Sequence, residues 1–86
     1  MKIIKIGAMW CPACLIMNKR LKEIENKYSI EIINYDYDID EEIVNKYNVG
    51  EVLPEIIFIN EKDEEVKRLI GEQSIENISS IIESSC

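Results

Sequence analysis

Met9-Trp10-Cys11-Pro12-Ala13-Cys14 holds two of the three cysteines in a chain of 86 residues that has no histidine. Upstream, Lys2-Ile3-Ile4-Lys5-Ile6-Gly7 is rich in β-branched residues and reads as a strand. Downstream, from Pro12 to about Tyr28, Met17, Leu21, Ile24 and Tyr28 recur on one helical face. Lys19, Lys22, Glu23 and Glu25 fall mostly on the others. Pro12 suits a first helical turn, where its missing N–H has no partner to lose. Cys11 therefore sits where a strand stops and a helix starts. Free N–H groups and the positive end of the helix dipole favour an anion there, and a thiolate is such an anion. Cys14 lies one turn later, within reach of a mixed disulfide formed at Cys11, so the spacing fits thiol–disulfide exchange. Trp10 and Ala13 flank the pair and are expected to leave Cys11 accessible. Two other readings stay open: an inert packed pair, and half of a zinc site. Zinc usually takes four Cys or His ligands, and only Cys86 remains to join.

The rest of the chain continues in short elements. Ile30 to Tyr35 is a second apolar, β-branched run. Asp38 or Asp40 is placed to cap a short helix carrying Ile43, Val44 and Tyr47. Asn48 to Leu53 is a loop ending at Pro54. Glu55 to Asn60 and Glu65 to Ile70 read as a hairpin across the charged turn Glu61-Lys62-Asp63-Glu64. Gly71 breaks the chain, and Ser74 can cap a last helix that presents Ile75, Ile78, Ile81 and Ile82. The order is β-α-β-α-β-β-α. The first two strands, joined by a helix, should run parallel with a right-handed crossover. The hairpin completes a four-stranded mixed sheet with helices on both faces, an α/β fold in one domain over residues 1–86.

Composition narrows the function classes. Seventeen acidic against ten basic residues leave a net charge of −7, with no basic stripe for nucleic acid. No apolar run nears the roughly 20 residues that span a bilayer. The first residues are too short an apolar stretch for a signal peptide, so the expected location is cytoplasmic, with no membrane partner. The acidic run Asp36 to Glu42 lacks the glycine and ligand spacing of a calcium loop and reads as a solvated helix start.

The chain resembles the thioredoxin superfamily. The likeness rests on Trp10-Cys11-Pro12-Ala13-Cys14 after a strand, on Leu53-Pro54 before the third strand, and on Gly71 after the fourth. It covers nearly the whole chain, trimmed to a minimal thioredoxin-like fold. The strand and helix that precede the motif strand in full-length thioredoxins are absent here, a shortness similar to glutaredoxins. The resemblance implies that Cys11 is the attacking thiol and Cys14 the buried resolving thiol. It implies that Pro54 is a cis-proline facing the pair, against the general rule that only about 5–6% of such bonds are cis. Leu53 would offer backbone hydrogen bonds to an extended substrate. Trp10, a platform for substrate or a cap over the core, and Pro12 would flank it. Gly71 would let a substrate backbone pass, or serve simply as a turn glycine.

The resemblance further implies a protein-disulfide oxidoreductase acting on disulfide-containing protein substrates. A thioredoxin-reductase-type donor would regenerate it, with no organic cofactor and no metal. The chain would be a monomer. Alternatives are a glutaredoxin-like, glutathione-dependent oxidoreductase, and a Cys-x-x-Cys module holding zinc or copper(I). Glutaredoxins carry Thr-Val-Pro and Gly-Gly where this chain has Val52-Leu53-Pro54 and Gly71-Glu72, which does not favour glutathione binding. Lys5 stands six residues before Cys11, where thioredoxins usually carry a buried acid; a lysine near the pair would stabilise a thiolate, but the favoured expectation is that it points to solvent because burying a charge is costly. Pro-Ala between the cysteines differs from the usual Gly-Pro, which leaves the potential open between roughly −270 and −120 mV. Cys86, at the end of the chain, is a candidate for an exposed, reactive thiol.

Overall fold

Ile-rich strands with helical connections between them assemble as the sequence pattern predicts. A computed structural model describes residues 1–84, so Cys86 and the expectation attached to it lie outside the described residues. The elements are β1 (Lys2–Gly7), α1 (Pro12–Tyr28), β2 (Glu31–Asp36), α2 (Glu41–Lys46), β3 (Glu55–Ile59), β4 (Glu65–Ile70) and α3 (Ile75–Ser84). β2 starts and ends one residue later than expected, and β3 ends one residue earlier. Ile30, outside the ladder, is buried all the same.

The sheet order is β2-β1-β3-β4. β1 pairs in parallel with β2, from Lys2 against Glu31 to Gly7 against Asp36. It pairs antiparallel with β3, placing Ile3 against Phe58 and Lys5 against Ile56. β3 and β4 form the expected hairpin, with an irregularity between Phe58 and Ile59. Alternation along the strands sends successive side chains to opposite faces. On one face Ile3, Ile56 and Phe58 pack with Met17, Leu21 and Ile24 of α1 and Ile78 and Ile82 of α3. On the other, Ile4, Ile6, Ile57 and Ile59 pack with the half-buried Ile43, Val44 and Tyr47 around α2. The two central strands are thus covered on both sides, and every residue of β3 is buried.

Caps divide between expected and unexpected. The Ser74 hydroxyl accepts from Asn77 N–H at 3.1 Å and caps α3 as read. Asp40 occupies the N-cap position of α2 but its side chain does not cap it. Its carboxylate accepts instead from Asp36 N–H at 2.7 Å, closing the turn after β2. Asp36 in turn accepts from the N–H groups of Asp38 and Ile39. Asp36 and Asp40 thus fold the turn after β2, while Glu41 and Glu42 occupy the first turn of α2, as the reading of a helix start expects.

Candidate active site

Cys11 is the N-cap of α1, with an extended backbone (φ −100°, ψ 110°) and Pro12 next in the helix. Its Sγ accepts from Cys14 N–H at 3.3 Å, and its carbonyl accepts from Cys14 N–H and Leu15 N–H at 3.1 and 3.4 Å. Both cysteines are free thiols. Pro12 is exposed at the helix start, and Ala13 is half-buried.

Cys11 is not accessible in the way its flanking residues suggest, and that expectation is corrected. It is 6% exposed, and Cys14 is 1% exposed. Ala8 and Leu53 close over the pair, with Ala13, Tyr37 and Val49 packed around them. The cover comes from the loop before β3, far along the chain. The Leu53–Pro54 bond is cis, and the Cys11 thiol faces the Leu53 carbonyl at 3.7 Å. Pro54 is buried, and its carbonyl accepts from Gly71 N–H at 2.8 Å. Gly71 has φ +85°, a region that favours glycine, and nothing lies within 4 Å of the place a Cβ would take. The chain thus brings Cys11, Cys14, Leu53, Pro54 and Gly71 to one end of the sheet.

Trp10 is 61% exposed beside them, its indole N–H donating to Asp38 at 2.7 Å. Asp38, read as a candidate helix cap, therefore holds the aromatic ring instead. Met9, Leu15 and Val52 are also exposed apolar side chains close in sequence to the site segments.

Lys5 reverses its expectation. It is 5% exposed. β1 is central and covered on both faces, and every residue from Ile3 to Gly7 is buried. Lys5 Nζ donates to the Cys14 carbonyl at 3.3 Å and to Asn18 Oδ1. Burial pushes its ammonium below the ordinary lysine value, while the Cys14 and Cys11 sulfurs push it back up. Burial also pushes the Cys14 thiol up to about 11, with the hydrogen bond to Cys11 adding to the rise and the charge of Lys5 opposing it. A cleft of about 560 Å³ reaches this spot between α1 and β2, lined among others by Lys5, Cys14, Asn18, Asn34 and Asp36.

Sequence reasoning also missed Glu55, 2% exposed at the start of β3. It accepts from Gly50 N–H at 2.9 Å and from Arg68 at 2.8 Å, pinning the loop that carries Leu53. The available signal was an acid immediately after Pro54 with an arginine in the paired strand. Among the described residues no group of three or more His, Cys, Asp or Glu side chains is placed to hold a metal ion. No helix among them is long and apolar enough to cross a membrane.

The Thioredoxin family profile matches residues 1–84. The chain belongs to the thioredoxin family. Thioredoxin H7 of Arabidopsis thaliana is 31% identical over 81 residues, 92% of this chain. The chain spans 60% of the length of that thioredoxin and 46% of Thioredoxin H8 from the same plant. Among solved structures, the reduced thioredoxin pre-protein of Schistosoma mansoni superposes with a TM-score of 0.85 at 29% identity, over 95% of this chain and 75% of its own. Thioredoxin 1 of Thermosipho africanus gives a TM-score of 0.88 at 24% identity, over 99% and 93% of the two chains, and shares the fold. The four-stranded mixed sheet with three helices is thioredoxin-like, in the element order read from the sequence.

Proposed function

We propose that this thioredoxin-family chain is a protein-disulfide oxidoreductase working through the Cys11-Pro12-Ala13-Cys14 dithiol. The observation that carries the reading is the pairing of a thiol at a helix N-cap, receiving a backbone N–H, with a second, more deeply buried thiol one turn behind it. In the reducing direction the Cys11 thiolate attacks one sulfur of a substrate disulfide. A Cys11–substrate disulfide forms, and the other substrate sulfur leaves as a thiolate that takes up a proton. Cys14 then loses its proton and attacks Cys11 Sγ. The Cys11–Cys14 disulfide forms, the bond to substrate breaks, and the second substrate sulfur leaves and is protonated. Two electrons pass from the dithiol to the substrate.

Disulfide-containing proteins are the substrates in this reading. The exposed Met9, Trp10 and Val52 offer them an apolar rim. A thioredoxin-reductase-type donor restores the dithiol. The site uses no organic cofactor and no metal, and the chain works as a cytoplasmic monomer in a single domain.

Trapping tests it. Cys14→Ser, mixed with a disulfide-bonded protein, should accumulate a covalent adduct at Cys11 that mass mapping locates. An adduct absent, or attached elsewhere, would refute the mechanism. Protein purified with stoichiometric zinc or copper(I) on Cys11 and Cys14 would favour the metal module instead.

A further inference from the structure

Lys5 is the one lysine among the described residues that is buried. Its partners there are a carbonyl and an amide oxygen, those of Cys14 and Asn18. No carboxylate among the described residues forms an ion pair with it, whereas the buried Glu55 has Arg68. An ammonium out of water without a counter-charge is costly to keep. The anion it can meet is sulfur. A Cβ built on Gly7 would lie 3.1 Å from Cys14 Sγ and 3.2 Å from Lys5 Nζ, so both atoms border one small gap left by a glycine.

We propose that the Lys5 ammonium is the counter-charge that steadies Cys14 Sγ as a thiolate while it attacks Cys11, making Lys5 a positioning residue for the resolving step. This rests on the exchange reading above. The balance is unchanged: the proton leaves Cys14 by way of the cleft to solvent, the departing substrate thiolate gains one, and Lys5 keeps its own. Asn18, one turn after Cys14 on α1, and the Cys14 carbonyl hold Nζ at the gap that Cys14 Sγ also borders.

Other charged groups face the same cleft. α1 contributes Lys22 and Glu25, and the end of β2 with its following turn contributes Asp36 and Asp40. The Cys11 thiol, at the start of α1, accepts from Cys14 N–H. The two aspartates already accept backbone N–H groups of that turn. On β3 the neighbour of Lys5 is the apolar Ile56. Burial dominates both titrations, lowering the Lys5 ammonium and raising the Cys14 thiol, and within those shifts the charge of each group favours the charged form of the other, as their shared gap requires.

The test isolates one thiol. In a background carrying both Cys11→Ser and Cys86→Ser, the rate of Cys14 alkylation by iodoacetamide is followed against pH, with and without Lys5→Met. The variant should move the Cys14 midpoint upward by about one pH unit, a roughly tenfold loss of thiolate at fixed pH. A midpoint that stays or falls overturns the proposal. Should Lys5→Met fail to fold, the Lys5 ammonium is titrated by NMR in the parent and in Cys14→Ala. Coupling is reciprocal, so its midpoint should fall when the sulfur is removed, and an unmoved midpoint refutes the pairing. Disulfide reduction by the parent protein is assayed alongside. Its absence sinks the exchange reading, while the midpoints report on Lys5 alone.

Discussion

Gly7→Ala places a methyl group in the gap that Cys14 and Lys5 share. The new Cβ would meet Cys14 Sγ at 3.1 Å, Cys14 Cβ at 3.2 Å and Lys5 Nζ at 3.2 Å. All three distances are shorter than ordinary van der Waals contact. Nζ is the end of a flexible side chain and can give way, but only by leaving Cys14 O and Asn18. Cys14 Cβ belongs to the first turn of α1 and moves only with the helix. Overpacking of this kind costs about 1–3 kcal/mol. The flexible lysine relieves one of the three contacts, which places the expected cost at about 1–2 kcal/mol, or roughly 4–15 °C in Tm for a domain of this size. Gly50→Ala is the control. Its Cβ meets only Glu55 Oε2 at 3.8 Å, an ordinary contact. Reduced unfolded-state entropy should leave it neutral or up to about 1 kcal/mol more stable. Urea unfolding of parent and both variants gives the comparison. If Gly7→Ala is no less stable than Gly50→Ala, the packing of β1 against Cys14 is not as described.

Other contacts carry their own expected outcomes. Arg68→Met removes one of the two bonds to the buried Glu55 carboxylate and should cost about 1–3 kcal/mol in urea unfolding, discounted because Arg68 is partly exposed. Phe58→Ala, at a fully buried position between α1 and α3, should cost about 3–5 kcal/mol, and a loss below half of that would contradict the core assignment. Trp10→Phe removes the bond to Asp38 at an exposed site, so stability should change by less than about 1 kcal/mol while trapping of disulfide substrates weakens. Cys14 also makes stability depend on pH. Its folded-state value is raised from the ordinary 9.0 to about 11, so the folded chain holds the proton more tightly. That contribution is complete below about pH 9 and disappears as pH rises through about 11. The stability gap between the parent and Cys14→Ala should narrow over that window, and a constant gap would refute the burial of a neutral thiol.

Most of the architecture is legible in the sequence because its signals are local. The 3–4 spacing of Met17, Leu21, Ile24 and Tyr28 marks α1, the Ile-rich runs mark the strands, and Ser74 marks the start of α3. The place of Cys11 at a strand–helix junction comes with them. The features that a local reading misses depend on residues distant in sequence. The cost of burying a charge sends Lys5 to solvent, although helices on both faces of the sheet bury the middle of the central strand β1. The closure of Leu53 over Cys11 needs the loop before β3 in place. The Glu55–Arg68 pair emerges only once the hairpin register is known, and Asp38 meets Trp10 only when the turn after β2 folds back to the site.

Redox titration tests disulfide exchange at Cys11 and Cys14 most directly. The purified protein is equilibrated in dithiol/disulfide buffers and its thiols counted by alkylation and mass, with Trp10 fluorescence as a second signal. The expected result is one two-electron transition, assigned to Cys11 and Cys14 and lost in Cys11→Ser and in Cys14→Ser. Its midpoint would separate a reductant near −270 mV from an oxidant nearer −120 mV, on the scale of roughly those values for related proteins. No transition, or thiols protected by a bound metal, would contradict disulfide exchange at this site.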